Sequence, residues 1–346
     1  MVTVRIGVIG TGAIGTEHIR RVEQRLSGGK VVAVTDISLD AARRCINALR
    51  LDARLYDSED DLLQDPSIDA VIIASSGPAH EGSVLKAIDA GKYVFVEKPL
   101  ATTVDGCLRI VQAEARTGKR LIQVGFMRRY DARYMALKSE IKSGRYGAPL
   151  MVRCVHRNAH VDERYTTEMA VLDTLIHEID VIRWLIGDEY VSVQVLYPRG
   201  TRYAHAGLQD PQIFNLVTQS GVVITAEVFV NCQYGYDIQC EVVCEDGVIS
   251  ITVPQLLDIF RTGFRAQPLM QDWKLRFAEA YDAELQDFID HVGRGDEPAG
   301  PSSVDGYIAT LVGEACVLAQ TSGGWVTIPR PEEDLIVQDS LGYGRL

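Results

Sequence analysis

An aspartate and a histidine stand four residues apart in Asp173-Thr174-Leu175-Ile176-His177, inside a stretch whose apolar residues recur at helical spacing. On a helix the two side chains share one face. Histidine changes charge near neutral pH, and a neighbouring carboxylate can orient it and stabilise its charged form, so the pair suits removal of a hydroxyl proton. The same spacing also suits a surface pair that only supports the helix. Lys98, in Glu97-Lys98-Pro99 at the end of an apolar run, offers an ammonium that can hydrogen-bond a reacting oxygen. Its other reading is an ordinary exposed lysine at a strand end.

Hydride chemistry needs a cofactor, and the start of the chain supplies a place for one. Gly10-Thr11-Gly12-Ala13-Ile14-Gly15 directly follows the apolar run Val4 to Ile9 and opens a helical pattern. In that context Gly10 makes the tight turn, Gly12 lets a pyrophosphate approach the backbone, and Gly15 allows close helix packing. The helix N-terminus then faces the phosphates. The next strand ends at Asp36, followed by Ile37 and Ser38, where a carboxylate can accept from ribose hydroxyls and would repel a 2′-phosphate. NAD is therefore expected rather than NADP. Ser75, Ser76 and His80 follow another strand at the carboxyl edge, where open α/β sheets bind ligands; for His80 a capping or surface role fits equally.

The elements that must hold these residues alternate at first. Strand patterns at Val4 to Ile9, Val31 to Asp36, Ala70 to Ala74, Tyr93 to Glu97 and Arg120 to Val124 are separated by helical ones, which predicts a parallel, doubly wound Rossmann sheet. After Gly125 the texture changes. A helix is expected from about Glu168 to Ile186, stopped by Gly187, and long β runs follow at 191–197, 213–219, 222–230, 236–244 and Val248 to Val253, with turns at Ser220-Gly221 and Asp246-Gly247. Consecutive strands with short turns predict a large, open, mostly antiparallel sheet. Helical patterns over 273–292 and 304–320 close the chain. The expected division is a dinucleotide-binding domain over 1–124 and an α+β domain over 125–346 for substrate and self-association, with the terminal helices free to pack back on the first.

In a further strand expected near Leu150 to Asn158, ahead of the helix from Glu168, Val152, Cys154, His156 and Asn158 alternate onto one face, so His156 and Asn158 can grip hydroxyls together. A metal is not expected at His156 and His160, because no cysteine or carboxylate cluster completes a ligand set. The net charge of −12 argues against nucleic acid or an anionic membrane surface as partner. No signal peptide or membrane-spanning run is legible, and the 7 cysteines lack a Cys-x-x-Cys pair, which predicts a cytoplasmic protein with reduced thiols.

Together the glycine motif, Glu97-Lys98-Pro99 and the Asp173/His177 helix resemble the Gfo/Idh/MocA oxidoreductase family (glucose-fructose oxidoreductase, inositol dehydrogenase, rhizopine catabolism) over nearly the whole chain. Gly125-Phe126-Met127-Arg128-Arg129-Tyr130-Asp131, His156-Arg157-Asn158 and Tyr234-Gly235-Tyr236-Asp237 are similar to its inositol dehydrogenase branch. The resemblance implies Lys98, Asp173 and His177 as the catalytic group, Arg128, His156, Asn158 and Tyr236 as substrate contacts, myo-inositol as substrate, NAD as cofactor and a homotetramer. Three other activities share these features: oxidation of another cyclitol or sugar, NAD-dependent glycoside hydrolysis, and a silent NAD-binding sensor.

Overall fold

The computed structural model describes residues 3–252 and 257–331. Its contacts gather into two units: residues 3–126 with 281–310, and residues 127–280 with 311–330.

In the first unit, short β-branched runs make the strands, and the central ones are almost wholly buried. The elements are β1 (Val4–Ile9), α1 (Ala13–Gln24), β2 (Gly29–Thr35), α2 (Leu39–Leu49), β3 (Arg54–Leu55), α3 (Glu59–Gln64), β4 (Ala70–Ile73), α4 (Gly77–Asp89), β5 (Tyr93–Glu97), α5 (Val104–Arg116) and β6 (Ile122–Gly125). The strands run parallel in the order β3-β2-β1-β4-β5-β6. The near-continuous burial of β4 and β6 is what a sheet covered on both faces demands. Helices start where the sequence provides caps: Ser38 accepts from Ala41 N at 3.3 Å and Thr103 from Gly106 N at 3.1 Å. Leu285, Phe288 and Ile289, from late in the chain, complete the core beside Ile6, Val8, Ile19 and Phe95.

In the second unit α6 (Ala132–Lys142) precedes β7 (Pro149–Arg157), and α7 (Ile176–Ile186) leads into β8 (Tyr190–Leu196), β9 (Gln212–Thr218), β10 (Val223–Phe229), β11 (Asp237–Cys244) and β12 (Val248–Ser250). A small hairpin, β13 (Ile259–Arg261) with β14 (Phe264–Ala266), then α8 (Trp273–Arg276), α9 (Ala278–Arg294), α10 (Ser303–Ser322) and β15 (Val326–Thr327) complete the chain. The sheet order is β12-β11-β7-β10-β9-β8-β15, antiparallel except where β10 pairs with β7. Along β9 and β10 buried and half-exposed residues alternate, the mark of a sheet with one covered face.

Two expectations change. The helix read as running from Glu168 to Ile186 is π-helical over Ala170–Leu175 and α-helical only from Ile176, so Asp173 and His177 straddle a change of helical pitch rather than a regular turn. The pattern over 273–292 breaks into α8 and α9, whose boundary at Phe277 has a non-helical backbone. Val253, the expected end of one strand, lies outside the described residues. All seven cysteines are free thiols. Among the described residues no helix is long and apolar enough to cross a membrane.

Candidate active site

The carboxyl edge of the first unit's sheet collects the cofactor candidates. Gly10 has φ +99°, which favours glycine, and a Cβ there would stand 2.6 Å from Ser75 N. A Cβ on Gly15 would collide with Gly10 O, so both positions require the absence of a side chain. Gly12 differs: a Cβ there would meet nothing within 4 Å, and it opens α1 without a side-chain cap or an acidic first turn. Thr11 precedes this space, with Ala13 and Ile14 in the first helical turn behind it, so backbone N–H groups face an open cradle suited to an anion.

Asp36 follows β2 with its carboxylate already oriented. Its Oδ2 accepts from Thr11 N at 2.6 Å and Thr11 Oγ1 at 2.9 Å, and its Oδ1 from Ser38 N at 2.8 Å. Beside it Ile37 is fully exposed, an apolar side chain offered to water next to a carboxylate. That combination fits an adenosine: hydroxyls for the aspartate and a flat apolar ring for the isoleucine. Ser75 Oγ is buried with no hydrogen-bond partner among the described residues, an orphan that a ligand can satisfy. Ser76 is the N-cap of α4 and makes no side-chain cap bond. These residues fit a dinucleotide.

His80 and Glu97 sit otherwise. His80 is buried, with Nδ1 2.7 Å from Pro99 O and Nε2 3.0 Å from Ser75 O. Glu97 is buried, and its carboxylate meets His18 Nε2 at 2.6 Å. Their polar atoms are engaged by protein. Lys98 is half-buried at the end of β5.

The second unit contributes a buried polar network. Arg128, from the short helical turn Met127–Tyr130, is 1% exposed; its guanidinium pairs with Glu178 and lies 3.0 Å from His156 Nδ1. Glu178 Oε2 stands 3.0 Å from the same nitrogen, and Tyr236 Oη 3.3 Å from His156 Nε2. Tyr236 packs edge-on against His156 at 5.6 Å, and the His177 ring lies 6.3 Å from that of His156. The register explains the meeting, because His156 on β7 pairs with Ile238 on β11, two residues beyond Tyr236. Asn158, just past β7, has a buried Oδ1 with no partner among the described residues. Sequence reasoning expected Arg128, His156, Asn158 and Tyr236 to share a site, and the fold brings the first, second and last into contact. Arg128, expected to touch substrate, is engaged by Glu178 and His156.

The charges in this network are set by burial and pairing. Burial disfavours the charged form of Glu178, yet Arg128 and His156 more than offset it and its pKa is lowered. Arg128 is held charged despite burial, chiefly by Glu178. Burial lowers the pKa of His156 against the opposing pull of Glu178 and pushes the Tyr236 hydroxyl up to about 12. The result is a neutral imidazole and a protonated phenol, two groups that exchange hydrogen bonds with hydroxyls, mounted on an ion pair.

Glu178 and His18 were not found from sequence. Glu178 had a faint signal, an acid directly after His177 within the apolar run Leu175 to Ile182. His18 had none, since its partner is 79 residues away.

A parallel sheet with a glycine cradle and an oriented carboxylate, joined in one chain to a buried polar network with a neutral imidazole and a phenol, fits a dinucleotide-dependent oxidoreductase. The comparisons place it further. Residues 4–126 match the oxidoreductase family's NAD-binding Rossmann fold and residues 138–328 its C-terminal alpha/beta domain, so the chain belongs to the Gfo/Idh/MocA family. An inositol 2-dehydrogenase/D-chiro-inositol 3-dehydrogenase of Shouchella clausii is 55% identical over 339 residues, 98% of each chain. An inositol 2-dehydrogenase of Ralstonia nicotianae is 56% identical over 321 residues, 93% of this chain and 95% of the relative. The crystal structure of myo-inositol dehydrogenase from Lactobacillus casei, in complex with NAD(H) and myo-inositol, superposes with a TM-score of 0.94 at 46% identity, covering 96% of this chain and 98% of that one.

Proposed function

We propose that this chain oxidises myo-inositol to scyllo-inosose, the 2-keto product, with NAD as hydride acceptor. The observation that carries the reading is the buried Arg128–Glu178–His156–Tyr236 network beside His177, in a chain more than half identical to inositol 2-dehydrogenases over nearly its whole length. NAD, when bound, supplies the acceptor for the hydride. Gly10 to Gly15 hold its pyrophosphate, Asp36 and Ile37 its adenosine, and Ser75 and Ser76 line it; Glu97 and His80 support that edge from within.

His177 takes the hydroxyl proton as general base, Asp173 holds it and stabilises its charged form, and the Lys98 ammonium stabilises the developing alkoxide. Asn158, His156 and Tyr236 grip the other hydroxyls, with Arg128 fixing His156. The protein works in the cytoplasm as a homotetramer, assembled through the half-exposed outer face of the large sheet, and sedimentation of the purified protein tests that assembly.

A second reading concerns substrate range. The name of the Shouchella relative includes D-chiro-inositol 3-dehydrogenase, and the same base and alkoxide partner serve that stereoisomer. NADH formation is measured with NAD and each of myo-, scyllo- and D-chiro-inositol and glucose, then again with NADP. The expected result is turnover of myo-inositol with NAD, with D-chiro-inositol second. Turnover of glucose alone overturns the substrate, and binding of NAD without turnover of any polyol overturns the enzyme in favour of a sensor or hydrolase.

A further inference from the structure

The residue on each side of Lys98 is gripped by a buried histidine, and the two histidines come from different helices. His18, on α1, sets Nε2 2.6 Å from Glu97 Oε1. Its ring stands edge-on to Phe95 at 5.6 Å and beside Tyr281 at 5.8 Å, so packing fixes its orientation. The other Glu97 oxygen lies 3.3 Å from Lys98 N, and a Cβ on Gly125 would stand 3.2 Å from Glu97 Cδ, so the glycine makes room for the carboxylate in this position. On the far side His80, on α4, points Nδ1 at Pro99 O at 2.7 Å and Nε2 at Ser75 O at 3.0 Å. Carbonyl oxygens only accept, and a neutral ring has one N–H, so the tautomer with the proton on Nδ1, at the shorter contact, is the one that donates to Pro99 O.

Neither histidine offers a surface to a ligand: His18 is 0% and His80 1% exposed. Burying an imidazole costs free energy unless its polar atoms are paired, and His18 Nε2 and His80 Nδ1 are paired with the segment that carries Lys98. The geometry points to His18 and His80 as positioning residues that hold the Glu97 side chain on one side of Lys98 and the Pro99 carbonyl on the other, tying the segment to the helix that opens at Gly12 and to the loop after β4. This rests on the role proposed above for Lys98. A misplacement of about 1 Å in a reacting group costs on the order of 10²-fold in rate, so releasing either clamp lowers turnover without removing a group that touches substrate.

The test exploits which ring nitrogen each histidine uses. Asparagine places its amide nitrogen near the position of Nδ1, and glutamine near that of Nε2. His80→Asn therefore retains the bond to Pro99 and His80→Gln loses it, whereas His18→Gln retains the bond to Glu97 and His18→Asn loses it. We expect H80N and H18Q to keep kcat within about threefold and H80Q and H18N to lose roughly 10- to 100-fold, with little change in KM for the polyol.

A readout that needs no turnover is the reductive methylation of Lys98 by formaldehyde and cyanoborohydride across pH, read by peptide mass spectrometry. H80Q and H18N should move the pH midpoint of Lys98 labelling, and H80N and H18Q should leave it in place. Equal losses in all four variants, following their thermal midpoints, would assign both histidines to packing and overturn the inference. Full turnover in Lys98→Met would instead remove Lys98 from the mechanism, and the labelling pattern would still decide whether the two histidines set its environment.

Discussion

The two units build their halves of the chemistry from different material. On the proposed reading the first relies on backbone: Gly10 and Gly15 let the chain pack against itself where a Cβ would collide, and Gly12 leaves the start of α1 open for a ligand. The second relies on side chains, with an ion pair, an imidazole and a phenol buried against one another. A backbone site is encoded by what is missing at fixed local spacing; a side-chain site is encoded by residues brought together from 127–130, β7, α7 and the segment before β11. The first tolerates change in most of its side chains, whereas the second makes each polar atom dependent on its neighbours.

Perturbing each half in turn sharpens that contrast. The largest expected effect is on turnover: His177→Ala should lower kcat by about 10²- to 10⁴-fold with the fold intact by circular dichroism, as loss of an acid/base group does. Next is the ion pair. Arg128→Met strands the Glu178 carboxylate in the interior and should cost about 3 to 5 kcal/mol of stability in urea denaturation, while the paired change Arg128→Met with Glu178→Leu should recover much of it. Recovery would confirm that the guanidinium serves through its partner; failure to recover would assign it a direct contact.

Smaller effects are expected in the backbone site. Gly15→Ala forces a Cβ against Gly10 O and should cost about 1 to 3 kcal/mol, with weakened NADH binding in fluorescence titration. Asp36→Ser should raise the ratio of NADP to NAD in kcat/KM by roughly tenfold, the scale of one charge repulsion of about 1 kcal/mol or somewhat more near the surface. An unmoved ratio would sink the account of Asp36.

The gentlest effect is a slope. The folded pKa values of both His156 and Glu178 are lowered, so in acid the unfolded chain binds more protons than the folded one. Stability is fully present above the ordinary histidine range and falls as pH drops through it towards the depressed folded value, with Glu178 adding a further loss at lower pH. The thermal midpoint should therefore decline from pH 7 to 5, and His156→Gln should flatten the upper part of that decline.

This contrast also explains what the sequence disclosed. The cofactor half was legible because Gly10 to Gly15 and Asp36 need only local spacing after a strand, and the relation between that spacing and phosphate binding is physical. Strand alternation put His156 and Asn158 on one face, but Arg128 and Tyr236 entered through resemblance, since the meeting of Tyr236 with His156 depends on the register of β7 with β11 across about eighty residues. Glu178 stayed hidden because an acid in a helix is ordinarily solvated, and only burial beside Arg128 gives it a role. The π-helical turn at Ala170–Leu175 was illegible for a related reason: apolar periodicity does not distinguish pitch over six residues.

The return of residues 281–310 to the first unit bears on how the protein is made. Leu285, Phe288 and Ile289 are wholly buried among strands and helices from the first hundred residues, yet they leave the ribosome after more than four-fifths of the chain has been synthesised. Until they arrive, the nascent nucleotide-binding sheet carries an uncovered apolar flank. Synthesis stalled near residue 126 should therefore yield a sticky fragment that engages chaperones, and a gene cut there should not give a soluble stand-alone module.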